Sequence, residues 1–195
     1  MCGRYIPNTE DEIMEIREIL KEISIRLSQS ELQNNEDVYP SKITPAIYMD
    51  DEYTIMDKAK FGFEKWDKKG VIFNAKSETV TQSKFFNPFI DGNRCIIPAH
   101  SYYEWQTMAD KQKIKYEFYS EEQDFLLMAG IYRQNHDNRE FVILTKQANE
   151  SIQTIHPRMP VILQHEYVRD WLNGKLNVSN INDKLDSSIY YKKSA

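Results

Sequence analysis

Cysteine and histidine are scarce here. The 195 residues hold two cysteines, Cys2 and Cys95, and four histidines, His100, His136, His156 and His165. Two cysteines with no CxxC spacing give neither a disulfide framework nor a thiolate zinc site. The histidines show no HExxH or comparable spacing, so no metal and no cofactor is expected. Long apolar runs are missing too. No stretch approaches the ~20 residues a membrane helix needs. The opening MCGRYIPNTEDE turns acidic without the apolar segment of a secretion signal, so Cys2 is not read as a lipoprotein cysteine. The expectation is a cytoplasmic protein with no membrane partner. Positive charge is also in deficit: 25 Lys and Arg against 30 Asp and Glu give a net charge of −5. That balance argues against a general nucleic-acid coat and leaves only a local basic groove for such a role.

What remains is the profile of one globular domain. A chain of this length can bury roughly 70% of its unfolded surface, and 41% hydrophobic with 12% aromatic residues supply the core. No internal repeat, low-complexity tract or linker divides it. The segment TEDEIMEIREILKEISIRL sets Ile13, Ile16, Ile19, Leu20 and Ile23 on one helical face, and Thr9 with Glu12 forms a capping box. Strand patterns follow in ITPAIYM, YTIMDKAKFGF, GVIFNA, RCIIPA and SYYEW. In KIKYEFY, Ile114, Tyr116 and Phe118 alternate with polar residues, as in a half-buried strand. FLLMAGIYR and EFVILTK are nearly continuous apolar runs, as buried strands require. ANESIQTI and QHEYVRDWLNG read as helices, the second closed by Gly174 at its C′ position. Strands that adjoin without long helices between them favour antiparallel pairing. The expected fold is α+β: a single domain over 1–195 with a β-rich, mostly antiparallel, barrel-like core and several flanking helices. The tail after about residue 175 carries no pattern that places it.

Cys2 poses the chemical question. If Met1 is trimmed, Cys2 carries a free α-amine and a thiol on adjacent carbons. With reference pKa values near ~7.7–8.0 and ~8.5, both supply some nucleophilic form at neutral pH. Three further polar residues interrupt apolar context: Asn74 after VIF, Glu104 between Tyr103 and Trp105, and His156 ahead of the proline-rich PRMPVIL. A buried Glu is costly unless paired, so it either faces solvent or is kept for chemistry. Taken singly, each has a plain alternative. Cys2 could sit in a frayed terminus, and Asn74 could form a turn. Glu104 could face outward, and His156 could be an ordinary core or surface histidine.

Together the segments are specific. MCGRY, DVYPSKITPAI, FNAKSET, RCIIPAHSYYEW, MAGIYR, FVILTKQAN and IHPRMPVIL occur in this order over roughly residues 1–172. The chain resembles the SOS-response-associated peptidase (SRAP) family, proteins that shield abasic sites in single-stranded DNA. The resemblance implies loss of Met1, then reaction of the Cys2 amine and thiol with the ring-opened abasic aldehyde to give a thiazolidine. It implies that Asn74 orients the Cys2 amine, that Glu104 is the acid/base, and that His156 assists sugar ring opening and the cleavage exposing Cys2. Arg4, Lys76 and Arg158 would contact phosphates, and Pro40 and Trp66 would meet the bases. The partner would be single-stranded DNA with abasic sites, and the protein a monomer, bound to the nucleoid when on DNA.

The chain departs from the family pattern in places. Lys76 stands where Arg is usual and keeps the charge without the bidentate fork. Phe61 replaces the tryptophan of a WG motif. Asp37 replaces an asparagine and adds negative charge near the DNA path. The ending KLDSSIYYKKSA puts the family's C-terminal strand in question. Other readings stay open at this point. A glutamine amidotransferase also begins MCG and uses its N-terminal cysteine. Cys2, His156 and Glu104 could serve a peptidase acting on other proteins. A non-covalent single-strand binder would show reversible, salt-sensitive affinity without the thiol.

Overall fold

A computed structural model describes residues 2–20, 23–28, 30, 36–50, 53–136, 138–178, 181 and 189–194. Met1 therefore lies outside the described residues. The first half carries β1 (Tyr5–Ile6), α1 (Glu10–Leu20), β2 (Ile23–Ile25), β3 (Ile43–Asp50), β4 (Tyr53–Phe61), β5 (Phe63–Glu64), β6 (Val71–Ile72) and β7 (Asn74–Lys76). Then come β8 (Arg94–Ala99), β9 (Ser101–Thr107), β10 (Lys113–Ser120), β11 (Leu126–Asn135), β12 (Asn138–Gln147) and β13 (Arg158–Pro160). Helix α2 (Val168–Leu172) and β14 (Ile189–Lys193) complete the chain.

Five strands close a barrel in the order β12, β11, β8, β3, β4. Each neighbouring pair is antiparallel except the closure, where Glu140 and Phe141 pair in parallel with Lys60 and Phe61. Strands β7 and β2 also join in parallel, on β12 and β4. A four-stranded sheet, β1-β9-β10-β14, packs alongside. β11 and β12 are buried on both faces over six consecutive residues each, which is why FLLMAGIYR and EFVILTK read as nearly continuous apolar runs. On β12, Val142 and Leu144 join a core with Ile13 and Ile16 of α1 and Trp171 of α2. Ile143 faces the opposite way, into a core shared with Cys2, Tyr5, Tyr102 and Phe118. Cys2 thus lies between the two sheets.

Helix α1 starts as its sequence dictates. The Glu12 backbone N–H donates to Thr9 Oγ1 at 3.2 Å, and the Thr9 N–H donates to Glu12 Oε2 at 2.9 Å. Its end departs from the expected stripe. The helix stops at Leu20, and Ile23 belongs to β2, beside Thr54. β-branched residues in an alternating ISI fit a pleated strand better than another helical turn. ANESIQTI also departs: residues 150–155 are turns. Asn149 Oδ1 accepts the Ile152 N–H at 3.1 Å and the Ser151 hydroxyl at 2.8 Å. This Asx turn competes with a helix, and Pro157 denies it room to extend. Ile152 and Ile155 are nonetheless buried in the Cys2 core, so the apolar spacing was meaningful. Gly174 adopts φ +73 just past α2, as its C′ placement requires. The tail does contain a strand: β14 pairs antiparallel with β10, Tyr191 opposite Phe118.

Candidate functional site

The N-terminal segment is steered by two antiparallel contacts. Tyr5 pairs with Tyr102 of β9, and the Tyr103 N–H donates to the Arg4 carbonyl at 2.9 Å. Continued, that register carries Gly3 and Cys2 along β9 toward Glu104. On the other side Tyr5 bridges Val38, with reciprocal bonds of 3.0 and 2.8 Å, so the turn bearing Pro40 folds back toward Gly3. Asn74 comes from β7, held next to Ile143 of β12. Its Nδ2 donates to the Cys2 carbonyl at 3.2 Å and to the Ile143 carbonyl at 3.4 Å. The resemblance implied a contact to the Cys2 amine, whereas the bond present is to the carbonyl. Asn74 Oδ1 is buried and has no hydrogen-bond partner among the described residues.

Glu104 projects from β9 and is only 3% exposed. Burial pushes its carboxyl above the usual carboxylate range, opposed in part by His156. His156 Nε2 lies 3.8 Å from Glu104 Oε2. Its Nδ1 contacts the Arg158 backbone, 2.9 Å from the carbonyl oxygen and 3.1 Å from the amide nitrogen, which fixes the ring. The Cys2 thiol is fully enclosed. Burial drives its pKa far up and the Glu104 charge adds to this, while the Arg4 backbone N–H works against it. Burial therefore favours the neutral thiol in this enclosed state. A depression of about 340 Å³ lies over the carboxylate, lined by Glu104, Trp105, Thr107, Lys113 and His156. Trp105, Thr107 and Lys113 were not singled out from sequence. Their only signal was the i+1 and i+3 positions after Glu104 on β9 and the pairing of Lys113 with Thr107.

The residues expected to meet DNA are less uniform. Lys76 is exposed at the end of β7, with no ion-pair partner among the described residues. Arg4 is bound by Asp37, with Nε and Nη2 each 2.7 Å from Oδ2. Arg158 forms a bidentate pair with Glu78, at 2.7 and 2.9 Å, and bonds the Thr145 carbonyl as well. Its guanidinium thereby ties β13 to the β7 turn. Trp66 is not brought to Cys2. It stands 96% exposed at the β5–β6 hairpin, beside a separate depression of about 650 Å³ with Lys65, Lys68, Phe85 and Arg133. Among the described residues no group of His, Cys, Asp and Glu is arranged to hold a metal ion, and no helix is long and apolar enough to cross a membrane.

The carboxylate on Arg4 has a measurable consequence. Asp37→Asn removes one negative charge and releases the guanidinium to a phosphate. Surface pairs of this exposure are worth at most about 1 kcal/mol, so single-strand affinity should rise by up to about fivefold. The slope of log affinity against log salt should steepen by about 0.7, one phosphate on a single strand. Fluorescence anisotropy with an undamaged oligonucleotide checks both, and an unchanged slope would mean Arg4 does not face the DNA.

A closed barrel with a buried residue-2 cysteine, an asparagine bonded to it and a glutamate–histidine pair beside it, from three other segments, defines a protein whose candidate site is built on its N-terminal segment. The model of the family described as SOS response associated peptidase (SRAP) matches residues 1–191, and the chain belongs to that family. It is 32% identical over 186 residues to the abasic site processing protein YoaM of Bacillus subtilis, covering 90% of this chain and 80% of that one. It is 29% identical to the abasic site processing protein YedK of Escherichia coli, over 65% of this chain and 59% of that one. A crystal structure of a Bacteroides thetaiotaomicron protein shares the fold, with TM-score 0.83, 24% identity and coverage of 100% and 92%.

Proposed function

We propose that this protein processes abasic sites in single-stranded DNA by forming a thiazolidine crosslink through Cys2, after hydrolytic removal of Met1. The observation that carries the reading is the convergence on Cys2: Asn74 bonded to its carbonyl, with the buried Glu104 and its half-buried partner His156 beside it. The relatives' names supply the substrate class. The unpartnered Asn74 Oδ1 is an acceptor suited to the amine that Met1 removal would create.

The chemistry balances in three steps. His156 assists opening of the sugar hemiacetal, shuttling a proton from the C1′ hydroxyl to O4′. The neutral Cys2 amine attacks the aldehyde carbon, forming a C–N bond, and the carbinolamine loses water as Glu104 protonates its hydroxyl. The thiol then adds to the imine carbon, its proton passing to nitrogen. One water is released overall. Holding amine and thiol on one residue makes the closure intramolecular, with the large effective molarity that follows.

The test uses purified protein lacking Met1 and a uracil oligonucleotide treated with uracil glycosylase. A heat-stable shifted band should form on single-stranded DNA, weaken with salt, and be poor inside intact duplex, where the aldehyde cannot reach a recessed N-terminus. Equal yields on both, or no band on either, would contradict the reading. A peptidase acting on other proteins would cleave substrate and leave no band.

A further inference from the structure

Tyr102 sits where a phenylalanine would fill the same space. It is 0% exposed, its ring stacks on Phe118 with centroids 4.8 Å apart and planes 11° from parallel, and its strand neighbour is Tyr5. The Tyr5 hydroxyl donates to Thr44 Oγ1 at 3.3 Å. The Tyr102 hydroxyl is buried with no partner among the described residues. Leaving a buried hydroxyl unsatisfied is costly, and a phenyl ring would avoid the cost. Strand alternation directs Tyr102 and Glu104 to the same face of β9, and Tyr102 shares its core with Cys2. Burial, with Cys2 and Glu104 adding to it, holds its hydroxyl in the protonated, donor form.

We infer that Tyr102 is a positioning residue for the Cys2 sulfur, its hydroxyl donating a hydrogen bond to the thiolate as the thiol releases its proton for ring closure. The inference rests on the crosslink reading for its biological use. In that step the sulfur lone pair forms the C–S bond, the imine π pair moves onto nitrogen, and the thiol proton completes the N–H. The phenol keeps its own proton throughout. The sulfur needs such help, because burial and the Glu104 charge both oppose its ionisation. The groups around it are Glu104 and Tyr102 from β9, Tyr5 from β1, the Arg4 N–H and, once Met1 is removed, its own α-amine, which favours the thiolate when protonated. His156 faces Glu104 at 3.8 Å, and Asn74 holds the Cys2 carbonyl. A neutral donor raises no new charge in the core and still favours the anion.

Tyr102→Phe in the Met1-free protein separates this role from packing. The melting temperature should be unchanged or higher, because the deleted hydroxyl bonds nothing. Borohydride trapping of the imine should proceed at the wild-type rate. Formation of the reductant-free adduct should slow roughly tenfold, the effect of losing one bond to a charged group. Independently of DNA, the pH midpoint for alkylation of Cys2, read by mass spectrometry of the N-terminal peptide, should move up. Wild-type closure rate together with an unshifted alkylation midpoint would overturn the inference. If the wild-type protein gave no adduct at all, the crosslink reading would fall, while the alkylation curves would still judge the Tyr102 contact.

Discussion

Cys2→Ala should give almost no heat-stable adduct with a single-stranded abasic oligonucleotide, yet borohydride should trap an imine on its terminal amine. The substitution keeps the amine and removes the thiol, so carbinolamine formation and loss of water remain possible while ring closure does not. An imine hydrolyses, whereas a thiazolidine has no C=N bond for water to attack directly. The yield surviving heat without reductant should therefore drop on the order of a hundredfold or more, the scale expected when an intramolecular step is deleted. A tag retained ahead of Cys2 should abolish both the stable adduct and the trapped imine, although the thiol is intact. An amidotransferase or a peptidase would show neither product in any form, and a non-covalent binder would show none after denaturation. Full wild-type adduct from Cys2→Ala would mean that another amine, such as a lysine, is the nucleophile. Cys95 offers no substitute thiol, since it is buried in the barrel wall opposite Gly130 and burial holds it protonated.

The division between what was legible in the sequence and what was not follows from the range of the interactions. Capping at Thr9 and Glu12 is local, within four residues, and it formed as expected. Apolar runs announced β11 and β12 because both faces of those strands are buried. The closure of the barrel left no such mark. The parallel contact of β4 with β12 joins residues 80 apart, and nothing in FGF or REFV names its partner. Periodicity misread residues 148–155 because the turns keep the two buried isoleucines of a helix while the Asn149 side chain shares the Ile152 N–H with the Asn149 carbonyl. At the site, Cys2, Asn74, Glu104 and His156 were legible as motifs, and the fold accounts for why those motifs are so far apart in sequence. The Glu78–Arg158 pair, the Arg4–Asp37 pair and the Tyr102 hydroxyl were hidden, since each depends on which side chains meet across strands.

Glu104→Gln should cost the crosslinking rate roughly a hundredfold or more and, more tellingly, change the shape of its pH profile. A positioned acid contributes about 10²–10⁴ when it delivers a proton to a leaving group. Here the leaving group is the carbinolamine hydroxyl, and the burial of Glu104 raises its pKa so that more of it is protonated as the pH approaches neutrality. The step needs the protonated carboxyl and the unprotonated Cys2 amine together. The acid form is lost as pH rises through the raised pKa, and the amine form is gained as pH rises through about 7.7–8.0. Their product rises, levels between the two values, then falls on the alkaline side once the amine is fully neutral and the acid continues to disappear. Glutamine fills the same space and accepts a hydrogen bond, but has no proton to transfer. The variant should therefore keep the ascending dependence on the amine and lose the descending alkaline limb. Its residual rate should plateau at high pH. Single-turnover rates of stable adduct formation across pH 5 to about 9.5, a window chosen to bracket the reference amine value, would show this directly. A variant that kept the wild-type descending limb at lower amplitude would assign the acid to another group, His156 being the nearest, at 3.8 Å from the carboxylate.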